Sequence, residues 1–402
     1  MRYGTDPSGN PLDRYGLSRP VWLLGWVSFF TDMASEMVYP LLPLFLTRTL
    51  GANAMSLGII EGIAEGANSA LKILSGWLTD RFGEPKKLVL AGYGLSSAIR
   101  PLIAFVTAWP QVLGLRFVDR LGKGIRSSPR DAMLASFAPA ETRGRVYGFH
   151  RGMDHAGAVA GPLIATAYLY FYPEAYRSLF TWTIVPGIIV VLLILRVPAA
   201  QPAARTSDAG HRGSGKLPRR FYGAMAIIFL FALGNASDAF ILLRLTELGI
   251  APFWIPLLWS ALHVIKMSSS VIGGALSDRF GRRAMIVAGY LWYAAIYGAF
   301  AWTSSVAVVI AVFLAYGLYF GFTEGVEKAW VADMAPASAR GTAFGIYNAA
   351  LGVGGLVASL LFGVIWTRVS PGAAFLTGAS LALAASLLLY LLFSDAKNSR
   401  HQ

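Results

Sequence analysis

Five bases crowd a single short stretch of this chain: Arg116, Arg120, Lys123, Arg126 and Arg130. Arg116, Arg120, Lys123 and Arg130 recur at intervals of three, four or seven residues, which sets them along one face of a helix. Acids of matching periodicity lie elsewhere. Asp32 and Glu36 are four apart in FFTDMASEMVYP, and Glu61, Glu65, Asn68 and Lys72 follow spacings of four, three and four in IIEGIAEGANSALK. A further cluster, HRGMDH, holds His150, Arg151, Asp154 and His155 within about a turn and a half. Burial favours the neutral form of a carboxyl and a neighbouring guanidinium favours the ionised form. A carboxylate that exchanges partners can therefore take up and release a proton, and Asp32, Glu36, Glu61, Glu65 and Asp154 are the candidates. Asp32, Glu36, His150, Asp154 and His155 also offer the oxygen and imidazole ligands that suit a divalent metal ion.

The surroundings of these charges decide what they are for. Of 402 residues 55% are hydrophobic and only 14% charged, whereas a soluble chain carries roughly 25% charged residues. The composition is that of an integral membrane protein. A net charge of +13 fits short basic loops beside a bilayer, and no nucleic-acid partner is expected. There is no cysteine, so neither a disulfide nor a thiolate metal site is possible, and no cofactor is expected. The polar N-terminus, MRYGTDPSGNPLDRYGLSRP, lacks the layout of a cleaved signal, so the first span is expected in the mature protein. No GxxxxGK[ST] loop appears, which leaves ATP-driven pumping unsupported.

Apolar runs long enough to cross a bilayer fall near 20–47, 55–79, 87–108, 111–138, 144–171, 178–197, 220–246, 253–277, 284–303, 306–334, 342–368 and 373–393. Basic residues gather after spans 2, 4, 8 and 10, while the opposite connections, TAWP and AWTSS, are nearly uncharged. By the positive-inside rule both termini are cytoplasmic; the membrane is expected to be a bacterial inner membrane. The expected organisation is a six-helix bundle over 1–195, a Pro/Gly/Ala-rich basic linker over 196–219 and a second bundle over 220–402.

Two signatures recur in order. GWLTDRFGEPKK after span 2 matches GGALSDRFGRR after span 8, with Asp80 and Asp278 198 residues apart. APAETRGRVYGF after span 4 matches APASARGTAFGI after span 10, with Arg143 and Arg340 197 apart. Parallel six-span repeats set a solute path between halves and give alternating access by rocking. The second half carries its own polar residues: Asn235, Asp238, His263, Lys266, Glu324, Glu327 and Lys328. Arg130-Asp131 has Glu327-Lys328 as its repeat partner, with the charges reversed. Arg116, Arg120, Lys123, Arg126, Arg130, His155, Asn235, Asp238, His263, Lys266, Glu324 and Glu327 are thus the candidates for lining a substrate cavity.

On these motifs the chain resembles the major facilitator superfamily. The resemblance implies an all-α membrane protein of twelve transmembrane helices, in two pseudo-symmetric six-helix bundles around a central cavity, acting as a monomer. It assigns a conformational latch to Gly76, Asp80 and Arg81 and to their copies Gly274, Asp278 and Arg279; the first copy's bases are displaced to Lys86 and Lys87 by an inserted Glu-Pro. It relates Gly148, Gly157, Gly161 and Pro162 to an antiporter motif, although Ala165-Thr166 replaces the closing glycine pair, and helix packing is the bland alternative. In span 4, Asp119 and Arg120 stand where the family has glutamine and glycine. The expected function is proton-coupled export of a small organic solute. FFTDMASEM, IEGIAE, GKGIRSSPRDA and GFHRGMDHAG also resemble an efflux-permease subgroup that includes nickel-resistance permeases, which makes divalent-metal export an alternative. A scaffold or sensor that transports nothing is the third reading, against which the buried charges argue. An unpaired charge at mid-bilayer costs about 2.5–3.5 kcal/mol or more, so those of span 4 must face partners or water.

Overall fold

A computed structural model describes residues 5–42, 45–51, 68, 71–199, 216–250 and 254–393. No strand occurs among these residues; two isolated bridges, Thr5–Pro11 and Leu12–Ser18, fold the N-terminal segment back on itself. The helices are α1 (Arg19–Glu36), α2 (71–82), α3 (Pro85–Ile99), α4 (Trp109–Ser136), α5 (Arg143–Phe171), α6 (Tyr176–Arg196, with a turn at Thr183), α7a (Arg219–Ala232), α7b (Ala239–Glu247), α8 (Ile255–Phe280), α9 (Arg282–Trp302), α10 (Val306–Met334), α11 (Arg340–Arg368) and α12 (Pro371–Leu392). Among the described residues six helical stretches are long and apolar enough to cross a membrane: α3 with its extension to Phe105, α6, α9, α10, α11 with the turn before it, and α12.

Local chemistry sets the boundaries. Pro371 opens α12 behind Ser370, whose Oγ accepts the Ala373 N–H at 3.1 Å. The Gln111 side chain accepts the N–H groups of Thr107 at 2.7 Å and Ala108 at 3.3 Å where α4 begins. Helix α2 runs into Gly83 and α8 into Gly281, both at positive φ (67° and 92°), a conformation glycine adopts without steric cost. Among the described residues, spans 1 and 7 are interrupted. Span 1 leaves the α-helix after Glu36 and continues as a short 3-10 turn, Tyr39–Leu41, which contains Pro40. Span 7 unwinds between Leu233 and Asp238, around Gly234 and Asn235.

The chain divides into two compact units, one of Met1–Ala140, Met153–Lys216 and Pro336–Ala349, the other of Glu141–Gly152, Leu217–Ala335 and Ala350–Gln402. In the first unit α1 packs on α6, and α3 on α4 and α6; in the second α7a packs on α12, and α9 on α10 and α12. The same three pairings recur six helices later, as the sequence repeat requires. Close crossings are made by small residues. A Cβ on Gly92 of α3 would lie 2.8 Å from the Arg126 Cβ of α4, and on its repeat partner Gly289 of α9, 2.7 Å from the Phe322 Cβ of α10. Gly94, two residues on, faces open space. Gly92→Leu is therefore expected to destabilise the purified protein by about 1–3 kcal/mol through overpacking, read as a lowered melting temperature in detergent, with Gly94→Leu unchanged.

Candidate functional site

The repeated Asp-Arg-Phe-Gly signatures form matching helix caps. In the first unit the Asp80 carboxylate accepts the first free N–H groups of α11, from Gly341 at 2.8 Å and Thr342 at 2.6 Å. In the second, Asp278 accepts those of α5, from Gly144 at 2.9 Å and Arg145 at 2.8 Å. An acid at a helix N-terminus satisfies orphan donors and opposes the helix dipole. Small residues permit the approach: a Cβ on Gly76 would run into the Gly341 carbonyl, and one on Gly148 would lie 2.8 Å from the Gly274 Cα.

The two caps differ in charge. Arg282 Nη1 pairs with Asp278 at 2.5 Å, and its Nε reaches Asp333 at 3.2 Å, which also binds Arg143 at 2.6 Å. The Glu-Pro insertion removes the corresponding base in the first unit. Lys86 Nζ donates instead to the Leu195 carbonyl at 3.1 Å and Lys87 pairs with Glu84 at 2.7 Å. Among the described residues no cation pairs with Asp80, and burial pushes its carboxyl above the ordinary aspartate value, against the pull of the Thr342 and Gly341 hydrogen bonds. Arg81 and Arg279, the expected latch bases, lie over the rings of Trp77 (4.9 Å) and Phe280 (5.6 Å).

Deeper in the first unit the bases of α4 face protein. Arg116 and Arg126 are 2% and 4% exposed, and Arg120, Lys123 and Arg130 are half-buried. Their centre is Asp119, 2% exposed. It accepts the Tyr39 hydroxyl at 2.5 Å, pairs with Arg100 Nε at 3.2 Å and lies 3.9 Å from Arg116 Nη1. The Arg116 guanidinium lies 3.8 Å from the centre of the Tyr39 ring. Arg100 Nη1 donates to the Thr31 carbonyl of α1 at 2.9 Å, which ties α1, α3 and α4 together. Further along α4, Arg126 donates to Ser96 Oγ at 2.6 Å and lies over the Tyr93 ring, while Arg130 pairs with its neighbour Asp131 at 3.0 Å. Arg100, Tyr39 and Tyr93 were not among the sequence candidates. Arg100 had a visible signal as the one charge inside SSAIRPLIAF, but the tyrosines had none.

Asp32 and Glu36 are half-buried on α1. Asp32 lies within electrostatic range of Asp154, Lys123 and Arg100, and Glu36 of Lys123, Arg120, Arg100 and Arg116. The glycines of α5 bring these groups close: a Cβ on Gly157 would meet the Phe29 carbonyl, and one on Gly161 would lie 2.6 Å from the Met33 carbonyl and 2.8 Å from the Glu36 Cβ. Pro162 follows inside the helix. Asp154 and His155 are buried in this unit, and His150 is buried in the second. Glu61 and Glu65 lie outside the described residues. Among the described residues no three His, Asp or Glu side chains come together as a metal site, so the metal alternative rests on residue types alone.

The second unit gathers its polar residues around the break in span 7. Asp238 accepts from Lys266 Nζ at 3.1 Å and from the Tyr316 hydroxyl at 2.8 Å. The Tyr293 hydroxyl donates to the Gly234 carbonyl at 3.0 Å and to Asn235 at 3.3 Å. Glu327, 3% exposed, accepts the Tyr290 hydroxyl at 2.8 Å, and Glu324 lies 3.8 Å from Arg151. The His263 ring packs edge-on to Trp259 at 5.1 Å.

The Major Facilitator Superfamily model matches residues 24–323 and 224–402. The chain belongs to that superfamily. It is accordingly an integral multi-pass membrane protein with the twelve-helix fold, a transporter rather than an enzyme. An uncharacterized MFS-type transporter of Methanocaldococcus jannaschii is 30% identical over 379 residues, which cover 93% of this chain and 94% of that one. The multidrug resistance protein MdtH of Aeromonas hydrophila is 23% identical over 356 residues, with 83% and 84% covered. Among solved structures, the human organic anion transporter MFSD10 superposes with a TM-score of 0.76 at 15% identity, over 92% of this chain and 99% of that one.

In a superfamily fold a buried ion pair adds little net stability, yet removal of one partner strands the other. Arg100→Met is expected to cost about 3–5 kcal/mol, and Arg100→Met/Asp119→Leu distinctly less. Chemical or thermal unfolding of both purified variants provides the check.

Proposed function

We propose that this transporter exchanges protons for a small organic solute, which it exports by alternating access. The observation that carries the reading is the grouping of half-buried Asp32 and Glu36 with Lys123, Arg100 and Asp154 in one unit. A carboxyl set between a second carboxylate and an ammonium holds or yields its proton according to which stands closer. Helix movements of an ångström or two are enough to change that balance. Asp32 is the principal proton carrier, Asp154 its like-charged neighbour, and Lys123 the base that competes with the proton. The glycine run of α5 supports antiport because it seats α5 directly on the carboxylate-bearing face of α1. The multidrug resistance function named for MdtH favours an organic cargo over a metal ion.

The remaining parts of the reading follow the charge pattern. The basic connections are cytoplasmic, as are both termini, and the likeness to a multidrug resistance protein of the bacterium Aeromonas hydrophila favours a bacterial inner membrane. Two six-helix halves, 1–195 and 220–402, work as one monomer across the 196–219 linker. Asp80 and Asp278 hold the cytoplasmic starts of α11 and α5 in one of the alternating states.

The test is flux in proteoliposomes that contain a trapped pH dye. A panel of aromatic acids, neutral drugs, lipophilic cations and nickel is added under imposed pH gradients. At least one organic compound is expected to move protons in the opposite direction, and Asp32→Asn is expected to slow that exchange by tenfold or more while binding persists. Transport of nickel alone, or organic flux indifferent to the gradient and to Asp32→Asn, would overturn the proposal.

A further inference from the structure

The Lys266–Asp238 pair lies among aromatic rings of the second unit. The Lys266 side chain is 4% exposed, whereas the Asp238 carboxylate retains 25% exposure, so the pair is sealed on the lysine side and open on the aspartate side. Asp238 stands at the end of the unwound segment of span 7 and opens α7b. Around the ammonium stand aromatic rings: Phe320 with its centre at 3.7 Å, Trp259 at 5.2 Å and Tyr316 at 5.8 Å. One ammonium donor meets Asp238 at 3.1 Å, and the rings supply a weaker, non-directional attraction on the other sides. Asp238 in turn holds the Tyr316 hydroxyl at 2.8 Å.

A buried ion pair contributes little net stability. The arrangement suits a resident carboxylate that a second carboxylate replaces. The two would bind the same ammonium and the same tyrosine hydroxyl, and the rings of Trp259 and Phe320 would take the flat apolar body attached to the incoming group.

We propose that Lys266, with Tyr316, Trp259 and Phe320, forms the binding site for a small monoanionic organic acid with a planar or unsaturated body, and that Asp238 is the internal counter-ion the acid displaces. The proposal rests on the reading of an organic cargo and narrows it to carboxylates.

Benzoate is the probe, with benzyl alcohol as its neutral counterpart, and calorimetry on the detergent-solubilised full chain is the measurement. Loss of a charge-assisted hydrogen bond at a buried site corresponds to roughly tenfold or more in affinity. Benzyl alcohol is therefore expected to bind at least about tenfold more weakly than benzoate. Lys266→Gln is expected to bring benzoate down to that level, and Lys266→Arg to restore part of the difference. Asp238→Asn, which removes the competitor, is expected to tighten benzoate binding about tenfold. If Lys266→Gln fails to fold, Lys266→Gln/Asp238→Asn removes both charges and serves in its place. Benzoate affinity unchanged in the folded lysine variant, equal affinity for the alcohol, or no benzoate binding at millimolar concentration would overturn the proposal. Solute-driven proton movement with cationic or neutral compounds alone would overturn this proposal and leave the antiport reading standing. Benzoate binding through Lys266 without any proton movement would do the reverse.

Discussion

Asp119 sits where α4 crosses α3, with one oxygen taken by the Tyr39 hydroxyl and the other facing Arg100. That contact sets the terms for the rest of the first unit. A carboxylate withdrawn from water needs its counter-charge at contact distance, and Arg100 meets that need from a helix that is otherwise apolar. The guanidinium then reaches the Thr31 carbonyl, so the pair fixes the position of α1 as well. Arg116 also approaches Asp119, while two other bases of α4 have partners of their own: Arg126 donates to Ser96 and lies over the Tyr93 ring, and Arg130 pairs with Asp131. The half-buried bases Arg120 and Lys123 lie on the side of Glu36 and Asp32, which makes α1 the helix whose protonation is most exposed to changes in α4.

The second unit repeats the scaffold but changes the chemistry. Its helix pairings copy those of the first, down to the glycine that lets α9 meet α10 as α3 meets α4. Beside ion pairs such as Arg282–Asp278, Arg143–Asp333 and Lys266–Asp238 it sets tyrosine hydroxyls: Tyr290 on Glu327, Tyr293 on Gly234 and Asn235, Tyr316 on Asp238. A phenol satisfies a buried acceptor without bringing in a second charge. The caps at Asp80 and Asp278 show a similar divergence. Both hold a helix N-terminus, but only Asp278 has an arginine beside it, because two inserted residues carried the bases of the first copy away.

Much of this was legible in the sequence. The apolar runs gave the helices, the repeated signatures gave the recurrence of the same helix pairings six helices later, and the spacing gave α4 as the helix that carries the bases. Those signals are local or periodic. Arg100 was a single charge in an apolar run, and its importance depends on a crossing between helices that no spacing encodes. Tyr39 and Tyr93 read as ordinary membrane aromatics, since a ring beneath a guanidinium leaves no pattern in one sequence. The break in span 7 lay hidden because Gly234-Asn235 interrupts hydropathy too briefly to split a twenty-residue window. Arg282, three residues past the expected Arg279, binds Asp278 because it falls one helical turn on, at i+4.

The central claim is that the ionised side of α4 faces protein or water and never acyl chains. The natural chain has no cysteine, so single cysteines can be placed and spin-labelled without background. Collision with oxygen, which concentrates in lipid, and with a water-soluble nickel chelate is then compared along α4 in reconstituted bilayers. The account predicts low oxygen collision at Arg120→Cys and Lys123→Cys, and high oxygen collision at Phe117→Cys, an exposed apolar position of the same helix. Oxygen accessibility at position 123 equal to that at position 117 would contradict it.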